Sequence, residues 1–251
     1  MTTHRAADTW AEQLRQAKID LTAALRWADR LGLSEGICNH FSLAVPGASD
    51  RFLLNPQGLH WSELRASDLL VVDAAGRIVE GHRQTEPTAF FIHSRIHLSH
   101  PSAACVLHTH MPYAAALCAL DGGRLEWVSQ QSLRFYGRVA YEHEYNGLAL
   151  DEAEGQRISA KLVNNKVVFL ANHGVIVTGP DVATAFDDLY YLERACMIQV
   201  LAQSTGGALK RIADEVCLRT RRQFETERQQ AHSHLEAIVR ILTRETPEFL
   251  E

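Results

Sequence analysis

The sequence predicts an α/β fold in one domain, followed by a helical C-terminal extension. Three observations carry that prediction. Short apolar runs punctuated by Gly and Pro recur between residues 41 and 179, as strands do. Segments with apolar residues at helical spacing alternate with them. No internal repeat, low-complexity tract or linker divides the chain, whose 251 residues are enough to bury a sizeable core.

The elements follow in order. "WAEQLRQAKIDLTAALRWADRLGL" has helical spacing and stops at Gly32. "FSLAVPG" and "RFLLNPQG" are strand-like, and "DLLVVDAAGRIVEG" is a hairpin turning on "AAG". "PTAFFIHSRIHLSH" opens a helix at Pro87 and closes before Pro101. "SAACVLHTH" is a buried strand with the helix "MPYAAALCAL" behind it, and residues 125–147 mix strand and loop. "DEAEGQRISAKLV" is a short amphipathic helix. "KVVFLANHGVIVTG" makes two strands broken at Asn172–His173–Gly174. A long helix runs from Asp181 to Gly206–Gly207, and residues 210–245 are helical, charged and periodic. Leu235, Ile238, Ile241 and Leu242 form one apolar face there, suited to this chain's core or to a neighbouring subunit.

Composition excludes several classes. The net charge of −5 arises from mixed signs without a basic run, so neither nucleic acid nor a membrane surface is an expected partner. The N-terminus "MTTHRAADTWAEQLRQ" lacks the apolar stretch of a signal peptide, and no segment is long and apolar enough to span a bilayer. A cytoplasmic protein is expected. Cysteines 38, 105, 118, 196 and 217 are odd in number and irregularly spaced, as reduced core thiols are.

The chemistry-bearing signal is histidine. In "VLHTHM", His108 and His110 lie two apart on a strand and therefore share a face. Neutral imidazoles so placed can reach one divalent ion, although two ligands do not complete a site. "FLANHGV" ends a second apolar strand in His173, with Gly174 allowing a sharp turn. Were the strands adjacent, three histidines would cap the sheet with coordination positions left open, as catalytic zinc sites do. His232 and His234, two apart on a helix, do not share a face and are poor ligands.

In the ordered motifs "NHFS", "NPQG", "IHSRIH", "HTH", "NHGV" and "YYLERAC", the chain resembles the class II aldolase and adducin head-domain family from about residue 11 to 207, with 208–251 as the extension. The resemblance implies a three-layer αβα domain around a mixed, mostly antiparallel sheet. It implies a catalytic divalent metal on His108, His110 and His173, zinc first, with Fe2+, Mn2+ and Co2+ also suited. It further implies a small-molecule substrate and a homotetramer with active sites between subunits. The chain is most similar to the adducin-like bacterial branch, relatives of L-fuculose-phosphate aldolase and L-ribulose-phosphate 4-epimerase.

Two departures bear on the reaction. Aligned without a gap, the family's proton-transferring glutamate falls on Ala89. Glu86, at the helix entrance, and His93, one turn beyond Ala89, are the candidates to replace it, each with an ordinary structural alternative as cap or buried polar group. Among the loops matching the phosphate cradle, Asn39, Asn55, Gly58 and Thr88 are candidate substrate contacts, while Gln57 stands at a serine-like position. Either asparagine serves equally well as a turn residue. Tyr141 and Tyr145 are candidate proton donors that could equally be structural aromatics. The expected activity is a metal-dependent lyase, by aldol cleavage or decarboxylation through a metal-stabilised enolate. The alternatives are a non-catalytic adducin-like interaction module and an Fe(II)-dependent oxygenase on the same histidines.

Overall fold

The computed structural model describes residues 2–227 and 229–251. Helix α1 (Thr2–Arg30) begins earlier than its apolar spacing suggests. It ends where Gly32 takes φ +70° and the amides of Gly32 and Leu33 turn back onto the carbonyls of Asp29 and Ala28. Strands β1 (His40–Val45), β2 (Ala48–Leu54), β3 (Leu70–Asp73) and β4 (Ile78–Glu80) follow as an antiparallel meander. Then come α2 (Pro87–Ser99), β5 (Cys105–Thr109), α3 (Pro112–Cys118), β6 (Val139–Glu142) and α4 (Glu152–Ala160). The antiparallel pair β7 (Val167–Leu170) and β8 (Gly174–Gly179) leads into α5 (Val182–Ser204). The tail divides into α6 (Asp214–Thr226) and α7 (Gln229–Glu245).

The strands make one sheet in the order β4-β3-β2-β1-β5-β8-β7-β6, antiparallel except where β6 meets β7. Period-two alternation divides its two faces. Cys105 and Leu107 of β5, Val175 and Val177 of β8, and Phe41 and Leu43 of β1 join a large core with α1, α3, α5 and α7. Val106, Ile176, Val168 and Leu170 face the other way, onto α2 and α4. The expected three layers result.

The extension covers its own core. Leu235, Ile238 and Leu242 are buried against that larger cluster, with Ile241 half-buried, each full burial contributing about 1.5–3 kcal/mol. The cysteine expectation needs one correction. Cys105, Cys118, Cys196 and Cys217 are buried thiols, but Cys38 is exposed because it sits in the turn after α1. No helix among the described residues is long and apolar enough to cross a membrane.

Candidate metal centre

The antiparallel register of β5 and β8 sets Thr109 opposite Val175, and this brings the two histidine segments together. His108 is the penultimate residue of β5, His110 lies one residue beyond the strand, and His173 immediately precedes β8. Ring centroids are 5.0 Å apart for His108 and His110, 4.8 Å for His108 and His173, and 4.7 Å for His110 and His173. One nitrogen from each lies within 4.8 Å of the others.

Gly174 matters for a reason other than the expected turn. A Cβ there would stand 2.4 Å from the Thr109 carbonyl oxygen and 2.9 Å from His110 Cδ2, so glycine permits the close approach of β8 to β5. The left-handed residue of the turn is Asn172, at φ +55°.

Hydrogen bonds fix which nitrogen His108 and His110 present. His108 Nδ1–H donates to the Val175 carbonyl at 3.0 Å, leaving the Nε2 lone pair free. His110 Nδ1 is bonded to the Glu35 carboxylate, and its buried Nε2 has no partner among the described residues. A carboxylate behind an imidazole orients the ring and raises its basicity as a ligand. Burial drives the His173 ring down to about 4 and His108 well below its ordinary value, and neighbouring imidazoles add to both shifts. These two rings are therefore neutral lone-pair donors at pH 7. The donor set suits a divalent ion of the zinc type with coordination positions left open.

The other predicted residues divide. Asn39, buried at φ +74°, accepts from the His110 amide through Oδ1 at 3.4 Å, while its Nδ2 is buried without a partner among the described residues. Asn55 stands behind it, accepting from the Phe41 amide at 2.9 Å and donating to the Asn39 carbonyl at 3.4 Å. Gly58 supplies a left-handed turn at φ +86°, and the Gln57 side chain beside it is exposed. Glu86 is the N-cap of α2: its Oε2 accepts from the Ala89 amide at 2.8 Å and from the Thr88 hydroxyl. Ala89 is fully buried among Phe52, Leu54, Leu70 and Val72. His93 is fully buried too, and bonds to the side chains of His40 and Ser42 rather than to backbone.

The tyrosines separate cleanly. Tyr141 Oη accepts from the Leu125 amide at 3.1 Å and its ring stacks on Phe169, a residue of the opposite sheet face. Tyr145 is half-exposed, with its ring 6.2 Å from that of His173. Three further residues escape the sequence reading. His40 is the cross-strand partner of His108, Glu35 orients His110, and Glu193 of α5 accepts from the Tyr113 and Ala114 amides at 2.8 and 2.9 Å. Glu193 thus caps α3, the helix that starts two residues after His110. Only its place in "YYLERAC" could have singled it out.

Residues 19–200 match the model of the class II aldolase and adducin N-terminal domain. The chain belongs to this family. A provisionally named aldolase class 2 protein of Pseudomonas aeruginosa is 37% identical over 202 residues, covering 80% of this chain and 77% of that one. Rat alpha-adducin is 37% identical over 200 residues, 78% of this chain but only 26% of its own length. A decarboxylase of Streptomyces niveus is 31% identical over 219 residues, 86% of this chain and 80% of that protein. Among solved structures, an aldolase II superfamily protein from Pseudomonas syringae superposes with a TM-score of 0.86 at 36% identity, covering 95% of this chain and 96% of that one. L-fuculose 1-phosphate aldolase from Glaciozyma antarctica follows at 0.83 and 26% identity, covering 95% and 93%. Within a family of class II aldolases and adducins, the cluster of His108, His110 and His173 is the feature with the chemistry of an enzyme site.

Proposed function

We propose that the protein is a metal-dependent lyase that breaks a carbon–carbon bond in a small oxygenated substrate, with decarboxylation of a hydroxy acid that carries a carbonyl β to its carboxyl group, the electron sink for an enolate, favoured over aldol cleavage. The observation that carries this reading is the meeting of three imidazoles, among them the buried, unpartnered Nε2 of His110. His108, His110 and His173 would hold a divalent ion, zinc first, with Fe2+, Mn2+ and Co2+ also suited to the ligands. When bound, that ion supplies a Lewis acid for the charge developing on a substrate oxygen. Asn39, through its free Nδ2, is a hydrogen-bond donor beside the ligands. Decarboxylation is favoured because loss of CO2 needs no base, whereas aldol cleavage must give up the proton of the substrate hydroxyl, and Ala89 offers no group to take it. The similarity to a decarboxylase supports the same choice. Tyr145, on the exposed side of His173, is the candidate to return a proton to carbon. On this reading residues 11–207 are the catalytic unit, 208–251 its extension, and the enzyme a cytoplasmic homotetramer.

Metal analysis is the test. Purified protein is expected to hold about one divalent ion per chain, and His108→Ala to lose most of it. Loaded wild type is expected to release CO2 or an aldehyde from a panel of hydroxy acids and aldols, with the variant inactive. A wild-type chain left empty after supply of zinc, iron and manganese would sink the lyase reading in favour of a non-catalytic, adducin-like module. Turnover that requires iron and consumes O2 would replace it with an oxygenase.

A further inference from the structure

Beneath the three-histidine face, α2 and β1 enclose a line of polar side chains that the lyase reading leaves unused. His40 Nδ1 lies 2.8 Å from His93 Nε2, His93 Nδ1 lies 2.5 Å from Ser42 Oγ, and the same Oγ lies 2.7 Å from His97 Nε2. All four residues are buried. Burial disfavours charge on all three rings and each ring nitrogen in the line meets one neutral partner, so the line is a chain of neutral rings sharing one proton per link.

Such a chain runs in one of two directions, and its ends decide which. At the far end His97 Nδ1 is buried without a hydrogen-bond partner among the described residues. At the near end His40 Nε2 lies 3.8 Å from Glu86 Oε2. With protons directed toward His97, that ring would bury an N–H lacking an acceptor, and His40 would turn a lone pair toward a carboxylate. With protons directed toward His40, every link keeps its bond, and an Nε2–H faces Glu86. The Ala103 backbone favours a proton on His97, but it is a dipole without hydrogen-bond geometry, whereas Glu86 can carry a full charge.

The distance of 3.8 Å is too long for a direct hydrogen bond, and Glu86 Oε1 has no hydrogen bond among the described residues. A hydroxyl is the group that can accept from one side of this gap and donate to the other. We propose that His40 and Glu86 form a donor–acceptor pair for a substrate hydroxyl, with Ser42, His93 and His97 as positioning residues that hold His40 in its Nε2–H form. This rests on the lyase reading, in that the adjacent face chelates the rest of the substrate. His40 and His108 are cross-strand partners whose ring centroids are 4.9 Å apart. The substrate class narrows accordingly to a hydroxy acid with a further hydroxyl beyond the chelating pair.

Two measurements test it. Long-range 1H–15N spectra of the imidazoles in metal-free wild type are expected to show His40 protonated on Nε2, and Ser42→Ala to give a mixture of tautomers. An Nδ1-protonated His40 overturns the proposal, and an unchanged tautomer in Ser42→Ala overturns the positioning role. Zinc-loaded wild type is then titrated with racemic glycerate and with lactate, which share a chelating end and differ by one hydroxyl. Wild type is expected to bind glycerate about tenfold more tightly, roughly what one added hydrogen-bonded group supplies. His40→Ala should lose that preference at unchanged zinc content, and His40→Gln, which keeps an N–H, should restore part of it. Equal preference in wild type and His40→Ala overturns the pair. Wild type that takes up no zinc defeats the lyase reading instead, while the tautomer result still decides the direction of the chain.

Discussion

The two ends of the β7–β8 pair bury polar groups in opposite ways. At the His173 end, His110 Nε2 and Asn39 Nδ2 are buried without partners among the described residues. At the other end Asp187 and Asp188 of α5 are equally buried but satisfied. Asp187 bonds Arg134 and, at 2.9 Å, His234; Asp188 takes Lys166 Nζ at 2.7 Å and lies 3.7 Å from Arg134. Orphaned donors and acceptors cost free energy unless something else meets them, whereas a completed ion network needs no ligand. The first end has the character of a binding site. The second fastens α7 to the core through His234, and a cavity lined by Arg134, Lys166 and Asp188 does not make it a site, because those charges already answer one another.

Acid should separate the two ends, with the largest effect on the metal-free protein. In the unfolded chain histidines titrate near 6.5, while burial holds His40 at about 3 and His97 and His173 at about 4 in the folded one. The unfolded state therefore binds more protons below pH 6.5, and stability falls as pH drops from there toward 4; above 6.5 the contribution is fully present. At Asp187 burial alone would raise the carboxyl, but His234 and Arg134 hold it below its ordinary 3.8. Its share is lost only as pH falls below that value. Urea midpoints of metal-free protein are expected to decline steadily between pH 6.5 and 4. A midpoint flat across that interval would mean that these rings are not held neutral.

The histidine end of this contrast is legible in the sequence, whereas the Arg134–Asp187–Asp188 end is not, because its charges come from separate elements and meet only in the fold. Alternation along "CVLHT" and "GVIVTG" gives the two faces, and H-x-H with "NHG" gives the cluster, because both are local patterns. His40 was passed over in "NHFS" because its importance lies in register: only the pairing of β1 with β5 sets it opposite His108. Glu35 lies in a turn whose path no periodicity encodes. Glu193 reaches α3 from a helix eighty residues away in sequence. Tyr141 and Tyr145 look equivalent in sequence, but β6 ends at Glu142, so Tyr141 is a strand residue stacked on Phe169 and Tyr145 lies in the loop beyond it. Glu86 and Ala89 were placed correctly at the start of α2, but capping and apolar burial there are decided by packing.

Breaking the satisfied end comes next in size. Arg134→Ala leaves two buried carboxylates short of a partner and removes a guanidinium lying 4.3 Å over the Tyr191 ring. The expected loss is about 3–5 kcal/mol by chemical denaturation. Zinc content, measured at a temperature where the variant is folded, should stay at the wild-type level. A variant as stable as wild type would show that Asp187 and Asp188 are not held by charge.

The smallest effect sharpens the open end. Glu35→Ala removes the carboxylate behind His110, leaving Nδ1–H to water and the ring less basic and freer to turn. Partners of this kind contribute about 10–100-fold in metal affinity. Glu35 is 64% exposed on its side chain, so water competes for the bond and the lower end of that range is expected. Competition for zinc against a chromophoric chelator measures it. Glu12→Ala, which breaks an exposed pair with Arg15 remote in kind from the site, is the matched control and should leave affinity unchanged. If both variants bind zinc as wild type does, His110 owes its orientation to β5 and the Asn39 contact alone.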